Sequence, residues 1–129
     1  MLKILAVDDH AAFRKQVCSI LQGHPEFEVV CEASDGLEAV HRAEEFQPDV
    51  VLLDITMPVL GGIAAAVRIR RVAPKARIIF LSHHNSSSIA QAALATGALA
   101  YVVKSAASTD LIPALQAVVE GKTFLSKLD

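Results

Sequence analysis

Short apolar runs recur along the chain, and most are rich in branched residues. Runs of this length, bounded by turn residues, are typical of β-strands that are buried on both faces. The predicted strands cover residues 4–7, 29–31, 50–53, 78–81 and 98–103. The stretches between them carry apolar residues at helical spacing, as at Phe13, Val17, Ile20 and Leu21. The pattern therefore predicts five strands that alternate with helices.

Turn residues separate the predicted elements. Residues 23–25 (Gly-His-Pro) follow the first helical stretch, and Pro48, Pro74 and Gly97 follow the next three. Strands that alternate with helices form parallel sheets, because each parallel connection crosses over a face of the sheet. The sequence predicts one α/β domain over residues 1–129, with a five-stranded parallel sheet and helices on both faces.

Polar side chains follow four of the predicted strands at the point where each strand ends. They are Asp8 and Asp9 after the first strand, Asp54 after the third, Ser82 after the fourth and Lys104 after the fifth. In open parallel sheets the working site lies beyond the carboxyl ends of the strands. We therefore expect these side chains to meet at one edge of the sheet.

Three carboxylates at one edge repel one another. Two unit charges about 4 Å apart repel by about 4 kcal/mol at an effective dielectric of about 20, whereas a whole domain is stable by only about 5–15 kcal/mol. The cluster therefore favours a cation, and a site of few carboxylates, a carbonyl and waters suits Mg²⁺. The alternative is that each acid is an ordinary strand-end residue, with Asp9 capping a helix that begins near Ala11.

This residue set fits the transfer of a phosphoryl group to a carboxylate. Asp54 is the expected nucleophile because it stands alone after the central strand, while Asp8 and Asp9 can hold the metal. Lys104 adds a positive charge, and Ser82 adds a hydroxyl donor. No strand is followed by GxxxxGK[ST] or GxGxxG, which disfavours a nucleotide site on a Gly-rich loop.

Composition narrows the class of protein. The 129 residues are 53% hydrophobic, which is enough for a full core, and a net charge of -2 does not favour nucleic-acid binding as the main role. The basic residues at 68–77 indicate a solvated helix end and loop. Cys18 and Cys31 lack metal-ligand spacing and are expected to be buried free thiols. Since no signal peptide or membrane span is predicted, we expect a cytoplasmic protein.

Four segments of the chain resemble the receiver domains of two-component response regulators. They are "ILAVDDH" at 4–10, "DITMPVLGG" at 54–62, "IIFLS" at 78–82 and "GALAYVVK" at 97–104. The resemblance extends over nearly all of the chain, and its motifs are specific. It implies a flavodoxin-like, doubly wound fold whose five strands lie in the order 2-1-3-4-5.

The resemblance also implies a role for each strand-end residue. Asp54 would accept a phosphoryl group from the phosphohistidine of a sensor histidine kinase. Ser82 would hydrogen-bond that phosphoryl group, and Lys104 would pair with it. The implied ligands of Mg²⁺ are Asp8, Asp9, Asp54 and the backbone carbonyl of Thr56.

Tyr101 lies three residues before Lys104, where the family carries its aromatic switch residue. We expect phosphorylation to draw the Ser82 hydroxyl inward and Tyr101 to turn into the space left behind. The surface of the fourth helix, the fifth strand and the fifth helix would then change. The alternative is an ordinary strand aromatic, because only the spacing from Lys104 supports the switch role.

Residues 104–126 resemble the final helix of one subgroup of receivers. In that NarL/FixJ/LuxR-like subgroup, the receiver precedes a helix-turn-helix DNA-binding domain. The resemblance implies control of transcription through a DNA-binding domain absent from this chain, or action by protein contacts alone. The fourth helical stretch, at 86–100, is uncharged. It is expected either to join a homodimer or partner contact or to pack more deeply against its own domain.

The histidines are the main departure from the family pattern. His83 stands where the family usually carries a small residue, so we expect it to affect access to the phosphoryl pocket. His83 and His84 are adjacent and point in opposite directions in a strand, which disfavours a shared metal ion. His10 is expected to be an exposed residue at a helix start.

Two other functions compete with the phosphoacceptor switch. A degenerate receiver would keep the fold for protein contacts and take no phosphoryl group. A Mg²⁺-dependent phosphohydrolase with an aspartate nucleophile would usually carry a second acid two residues after Asp54, where Thr56 stands. We therefore expect a switch protein that catalyses only its own phosphorylation and dephosphorylation.

Overall fold

The structure, a computed structural model, describes residues 1–128. Its strands are β1 (Leu2–Val7), β2 (Phe27–Ala33), β3 (Val50–Leu53), β4 (Arg77–Ser82), β5 (Ala100–Val103) and β6 (Phe124–Leu125). Its α-helices are α1 (Ala11–Leu21), α2 (Gly36–Phe46), α3 (Gly62–Val72), α4 (Ser87–Leu94) and α5 (Ala107–Val119). A 3₁₀ turn at Lys104–Ala106 joins β5 to α5. The strands form one parallel sheet in the order β2-β1-β3-β4-β5-β6.

The sixth strand corrects the predicted five-stranded sheet. β6 lies beside β5, where Leu125 is the partner of Tyr101. The sequence pattern does not reveal β6 because the strand has only two residues, too few to show a period. The predicted final helix at 104–126 is also too long, since α5 ends at Val119 and Gly121 turns the chain with φ of 76°. The α/β class and the order of the first five strands agree with the prediction.

Alternate residues of each strand build two separate cores. In β3, Val51 and Leu53 face the layer formed by α2, α3 and α4. Val50 and Leu52 face the opposite layer, formed by α1 and α5. All four side chains are at most 2% exposed. Because apolar layers cover both faces of the strand, the first position open to a charged side chain is the strand end, where Asp54 follows and is only 4% exposed.

The uncharged helix α4 is shorter than the predicted stretch. It buries Ala90 and Ala93 against the sheet and leaves Gln91 and Ala92 exposed. Ser86 caps its start by accepting the N–H of Ile89 at 3.4 Å. Packing against its own domain therefore accounts for one face of α4, and the hypothesis of a partner contact concerns the other.

The structure tests two predictions made from composition, the state of the two cysteines and the membrane span. Cys18 and Cys31 are free thiols, and both are half-buried where the sequence predicted full burial. Burial raises the pKa of both thiols. Among residues 1–128, no helix combines the length and the apolar character that crossing a membrane requires.

Candidate functional site

Three of the predicted strand-end residues contact one another at the carboxyl edge of the sheet. The Nζ atom of Lys104 lies 2.5 Å from Oδ2 of Asp8 and 3.1 Å from Oδ2 of Asp54. The three residues are at most 4% exposed. One buried cation therefore bridges two buried carboxylates, which would otherwise repel each other in a region with little solvent.

The register of the central strands brings the two acids together. Val7 of β1 is the partner of Leu53 of β3, so Asp8 and Asp54 leave neighbouring strands at the same level. The N–H of Asp54 donates to the carbonyl of Val7 at 3.2 Å, which continues the pairing by one step. Lys104 reaches both acids from the turn after β5.

The Asp54 carboxylate has defined partners on both oxygens. Its Oδ1 accepts the N–H of Ile55 at 2.8 Å, and its Oδ2 accepts from Lys104. Burial raises the pKa of Asp54 above its usual range, although the Lys104 ammonium opposes this shift, and the Asp8 carboxylate adds to it. Ionised Asp54 therefore reduces the stability of the folded chain at neutral pH.

We expect Asp54→Asn to be more stable than the wild type at neutral pH, because the amide removes this buried charge. The pKa of Asp54 is higher folded than unfolded, so the destabilisation is present above the folded pKa and disappears as the pH falls through it towards the usual aspartate value of about 4. Urea unfolding of both proteins across this range measures the effect. An asparagine variant less stable than the wild type at pH 7 would contradict it.

Asp9 and His10 form the exposed rim of the site. His10 Nδ1 lies 3.3 Å from Oδ1 of Asp8 and 3.2 Å from Oδ1 of Asp9, and its side chain is 67% exposed. His10 is exposed at the start of α1 as predicted, but its contacts with both acids were not predicted. One ligand atom from each of the three residues lies within 4.8 Å of the others. Carboxylate oxygens suit a hard divalent cation, so Asp8 and Asp9 of this group fit Mg²⁺.

Ser82 and Tyr101 are fully buried beside the site. The Tyr101 hydroxyl donates to the carbonyl of His84 at 2.7 Å, and burial raises the pKa of the phenol. The side chain thus lies inward in this structure, whereas the sequence led us to expect an inward turn only on phosphorylation. Because the His84 carbonyl satisfies its hydroxyl, burying Tyr101 leaves no unpaired polar group.

The sequence interpretation missed two side chains of helix α1 that support the acids. Arg14 Nη1 donates to the backbone carbonyl of Asp8 at 2.5 Å, and Arg14 Nε donates to Glu32 at 2.8 Å. The ring of Phe13 lies 4.6 Å from the Lys104 ammonium, within the range of a cation–π contact. Both residues lie in the first turn of α1. A predicted helix that begins directly after Asp8 and Asp9 could have indicated them, because its first turn must lie near the acids.

The contacts of His84 were not predicted either. Its ring Nε2 atom shares a hydrogen bond of 2.9 Å with Oγ1 of Thr56. Its backbone N–H donates to Oγ of Ser82 at 3.1 Å. The sequence singled out His83, which is exposed in the structure. The adjacent histidines therefore differ in role, and His84 is the one that joins the site.

Glycines hold the loop after Asp54 tightly. A Cβ atom on Gly62 would lie 1.8 Å from the carbonyl oxygen of Asp54, and one on Gly36 would lie 2.0 Å from the carbonyl oxygen of Leu60. The N–H of Gly62 donates to the carbonyl of Ile55 at 2.7 Å. The backbone around Asp54 is thus fixed by the close approach of two helix starts.

Comparison with known proteins gives one consistent family. Residues 4–116 match the response regulator receiver domain. The chain is 37% identical over 124 residues to the transcriptional regulatory protein DegU of Brevibacillus brevis, which covers 96% of this chain and 52% of that protein. It is 34% identical over 125 residues to LiaR of Bacillus subtilis, which covers 97% of this chain and 59% of that protein. The chain thus spans little more than half the length of these curated relatives.

Solved structures agree with this result. A two-component response regulator of the LuxR family from Aurantimonas sp. superposes with a TM-score of 0.92 at 36% identity, covering 98% of this chain and 90% of that one. The receiver domain of NarL from Mycobacterium tuberculosis superposes with a TM-score of 0.87 at 30% identity, covering 94% of this chain and 98% of that one. The chain belongs to the family of response regulator receiver domains, and its relatives are NarL/LuxR-family response regulators.

Proposed function

We propose that this receiver domain, over residues 1–129, is a phosphoacceptor switch in which Asp54 takes a phosphoryl group from the phosphohistidine of a sensor histidine kinase. The observation that carries the proposal is the buried arrangement of Asp8, Asp54 and Lys104, in which one ammonium bridges two carboxylates. Such an arrangement is costly as a purely structural device. It suits a site at which negative charge is gained and lost.

The reaction forms one bond and breaks one. A carboxylate oxygen of Asp54 bonds to phosphorus, while the bond from phosphorus to the histidine nitrogen breaks and its electron pair stays on the imidazole. The product is an acyl phosphate with about two negative charges. Lys104, which already donates to Asp54, is within reach of the new phosphoryl oxygens. Ser82 supplies a hydroxyl from the neighbouring strand.

The proposed metal ligands are Asp8, Asp9, Asp54 and the backbone carbonyl of Thr56. Mg²⁺ in this position would offset the negative charge of the acids and of the incoming phosphoryl group. Asp9 is exposed, whereas Asp8 is buried and held by Lys104 and by the N–H of His10, which donates to it at 2.9 Å.

The proposed output is a change in the surface formed by α4, β5 and α5. Tyr101 lies in β5 and Ser82 ends the neighbouring strand β4, and both contact the backbone of His84 just before α4. The curated relatives are named as transcriptional regulatory proteins and are longer than this chain. We therefore propose a DNA-binding output domain outside residues 1–129 and a homodimer contact through the exposed face of α4.

Incubation with Mg²⁺ and acetyl phosphate, followed by intact mass measurement, tests the proposal. We expect the wild type to gain one phosphoryl group per chain and Asp54→Asn to gain none. Asp49→Asn is the matched control, because Asp49 is an exposed aspartate that precedes β3 at the opposite end of the strand. A chelator should prevent the gain in the wild type.

Each competing function has a distinct outcome in the same experiment. A wild type that gains no phosphoryl group in the presence of Mg²⁺ would indicate a degenerate receiver. Repeated turnover of a phosphate ester, lost in Asp54→Asn, would indicate a phosphohydrolase. A gain that persists in Asp54→Asn would exclude Asp54 as the acceptor.

A further inference from the structure

His84 lies in the loop after β4 and contacts residues of β4, of β5 and of the loop after β3. Its N–H donates to Ser82 Oγ at 3.1 Å, and its carbonyl accepts from the Tyr101 hydroxyl at 2.7 Å. Its ring shares a 2.9 Å hydrogen bond with Thr56 Oγ1. The first two contacts use the backbone, so any residue except proline could make them at this position. The contact with Thr56 depends on the histidine side chain.

The ring contact joins the loop after β3 to the loop after β4. Thr56 is exposed and lies two residues after Asp54, and its hydroxyl is bonded to His84 across 28 positions of sequence. On the other side, the loop is tied to the start of α3 by the bond from Gly62 to Ile55. One contact at Thr56 and one at Ile55 therefore restrain the backbone of the loop.

We propose that His84 is a positioning residue of the phosphoacceptor site, whose ring holds Thr56 so that its backbone carbonyl stays in place beside Asp54 for Mg²⁺. The proposal rests on the proposed function, because Thr56 is a metal ligand only in that account. His84 touches neither the metal nor the phosphoryl group in this arrangement. It acts through Thr56.

The expected size of the effect follows from the cost of one hydrogen bond. A neutral hydrogen bond contributes about 0.5–1.5 kcal/mol, which corresponds to a change of roughly two- to tenfold in an equilibrium constant. Losing the ring contact frees the Thr56 backbone, and binding Mg²⁺ must then order it again. The dissociation constant for Mg²⁺ should rise by that factor.

Calorimetric titration with Mg²⁺ of the unphosphorylated full chain tests the proposal with four single variants and one double variant. His84→Ala removes the contact from one side, and Thr56→Val removes it from the other. Each should weaken Mg²⁺ binding by roughly two- to tenfold, and the double variant should bind no more weakly than either single variant, because both remove the same contact. His84→Gln should restore binding to within about twofold, since its amide can reach the Thr56 hydroxyl. His83→Ala, at the exposed neighbour, should match the wild type.

Unfolding of each variant separates positioning from stability. Tyr101 is the single tyrosine of a chain without tryptophan, so its fluorescence follows unfolding without interference. Weaker Mg²⁺ binding that tracks a lower free energy of unfolding, or losses that add in the double variant, would overturn the proposal. Wild-type affinity in His84→Ala would also overturn it while leaving phosphorylation of Asp54 intact. A wild type that neither binds Mg²⁺ nor takes a phosphoryl group would overturn the proposed function as well.

Discussion

Gly62→Ala is expected to lower the free energy of unfolding by about 3 kcal/mol or more and to slow phosphorylation of Asp54. The new methyl carbon would lie 1.8 Å from the carbonyl oxygen of Asp54, far closer than the 3.0 Å below which Cβ atoms essentially never approach other heavy atoms. The atom it meets belongs to the backbone, so no side chain can rotate away. Overpacking of this kind is destabilising because the chain must move. Here the part that must move carries the proposed nucleophile.

Gly61→Ala is the matched control for this substitution. A Cβ at position 61 meets only the carbonyl oxygen of Ile55, at 3.4 Å, and the residue has φ of -68°, which alanine adopts without strain. Its free energy of unfolding should stay within about 1 kcal/mol of the wild type. Chemical denaturation measures both variants. Equal stability of Gly62→Ala and Gly61→Ala would contradict the tight packing of this loop.

Lys104→Met is expected to destabilise the chain by about 3–5 kcal/mol in buffer without divalent cations. The substitution removes the cation between Asp8 and Asp54 and leaves two buried carboxylates facing each other. Removing one partner of a buried ion pair has a cost of this size, because the remaining charge stays desolvated. Added Mg²⁺ should recover part of the loss, since an ion that binds only the folded chain stabilises it. Urea unfolding with and without Mg²⁺ measures both effects.

Two further variants check this explanation. Lys122→Met removes an exposed lysine that pairs with Glu120 at 3.6 Å, and it should change the free energy of unfolding by less than about 1 kcal/mol. Adding Asp54→Asn to Lys104→Met should restore part of the stability, because only one buried carboxylate then remains. If the double variant is as unstable as Lys104→Met, carboxylate repulsion is not the cause.

The central strands were predictable because burial on both faces leaves a simple signal. β3 is four consecutive apolar residues, and both of its faces contribute to a core. Elements at the margin of the sheet gave a weaker signal. β6 has two residues, and the turn at Lys104–Ala106 precedes a helix that was expected to begin at 104. The position of β6 depends on its pairing with β5 and on the turn at Gly121, and neither leaves a periodic pattern of apolar residues.

The site was predictable as far as it follows from strand ends. Asp8, Asp54 and Lys104 meet because parallel strands deliver their last residues to one edge, a rule that applies before any side chain is placed. The contact between His84 and Thr56 joins two irregular loops, so no periodic pattern encodes it. The inward position of Tyr101 likewise depends on the carbonyl of a residue 17 positions away.

The short strand β6 also limits how copies of this chain can associate. It occupies the open edge of β5, and a strand of two residues followed by buried Ser126 and exposed Lys127 offers another chain little backbone to pair with. At the far edge, β2 exposes Glu28 and Glu32, and its register with β1 shifts between Ile4 and Leu5. Short, charged or irregular margins discourage aggregation by strand addition. The two edges of the sheet are therefore poor surfaces for pairing with a strand of another chain.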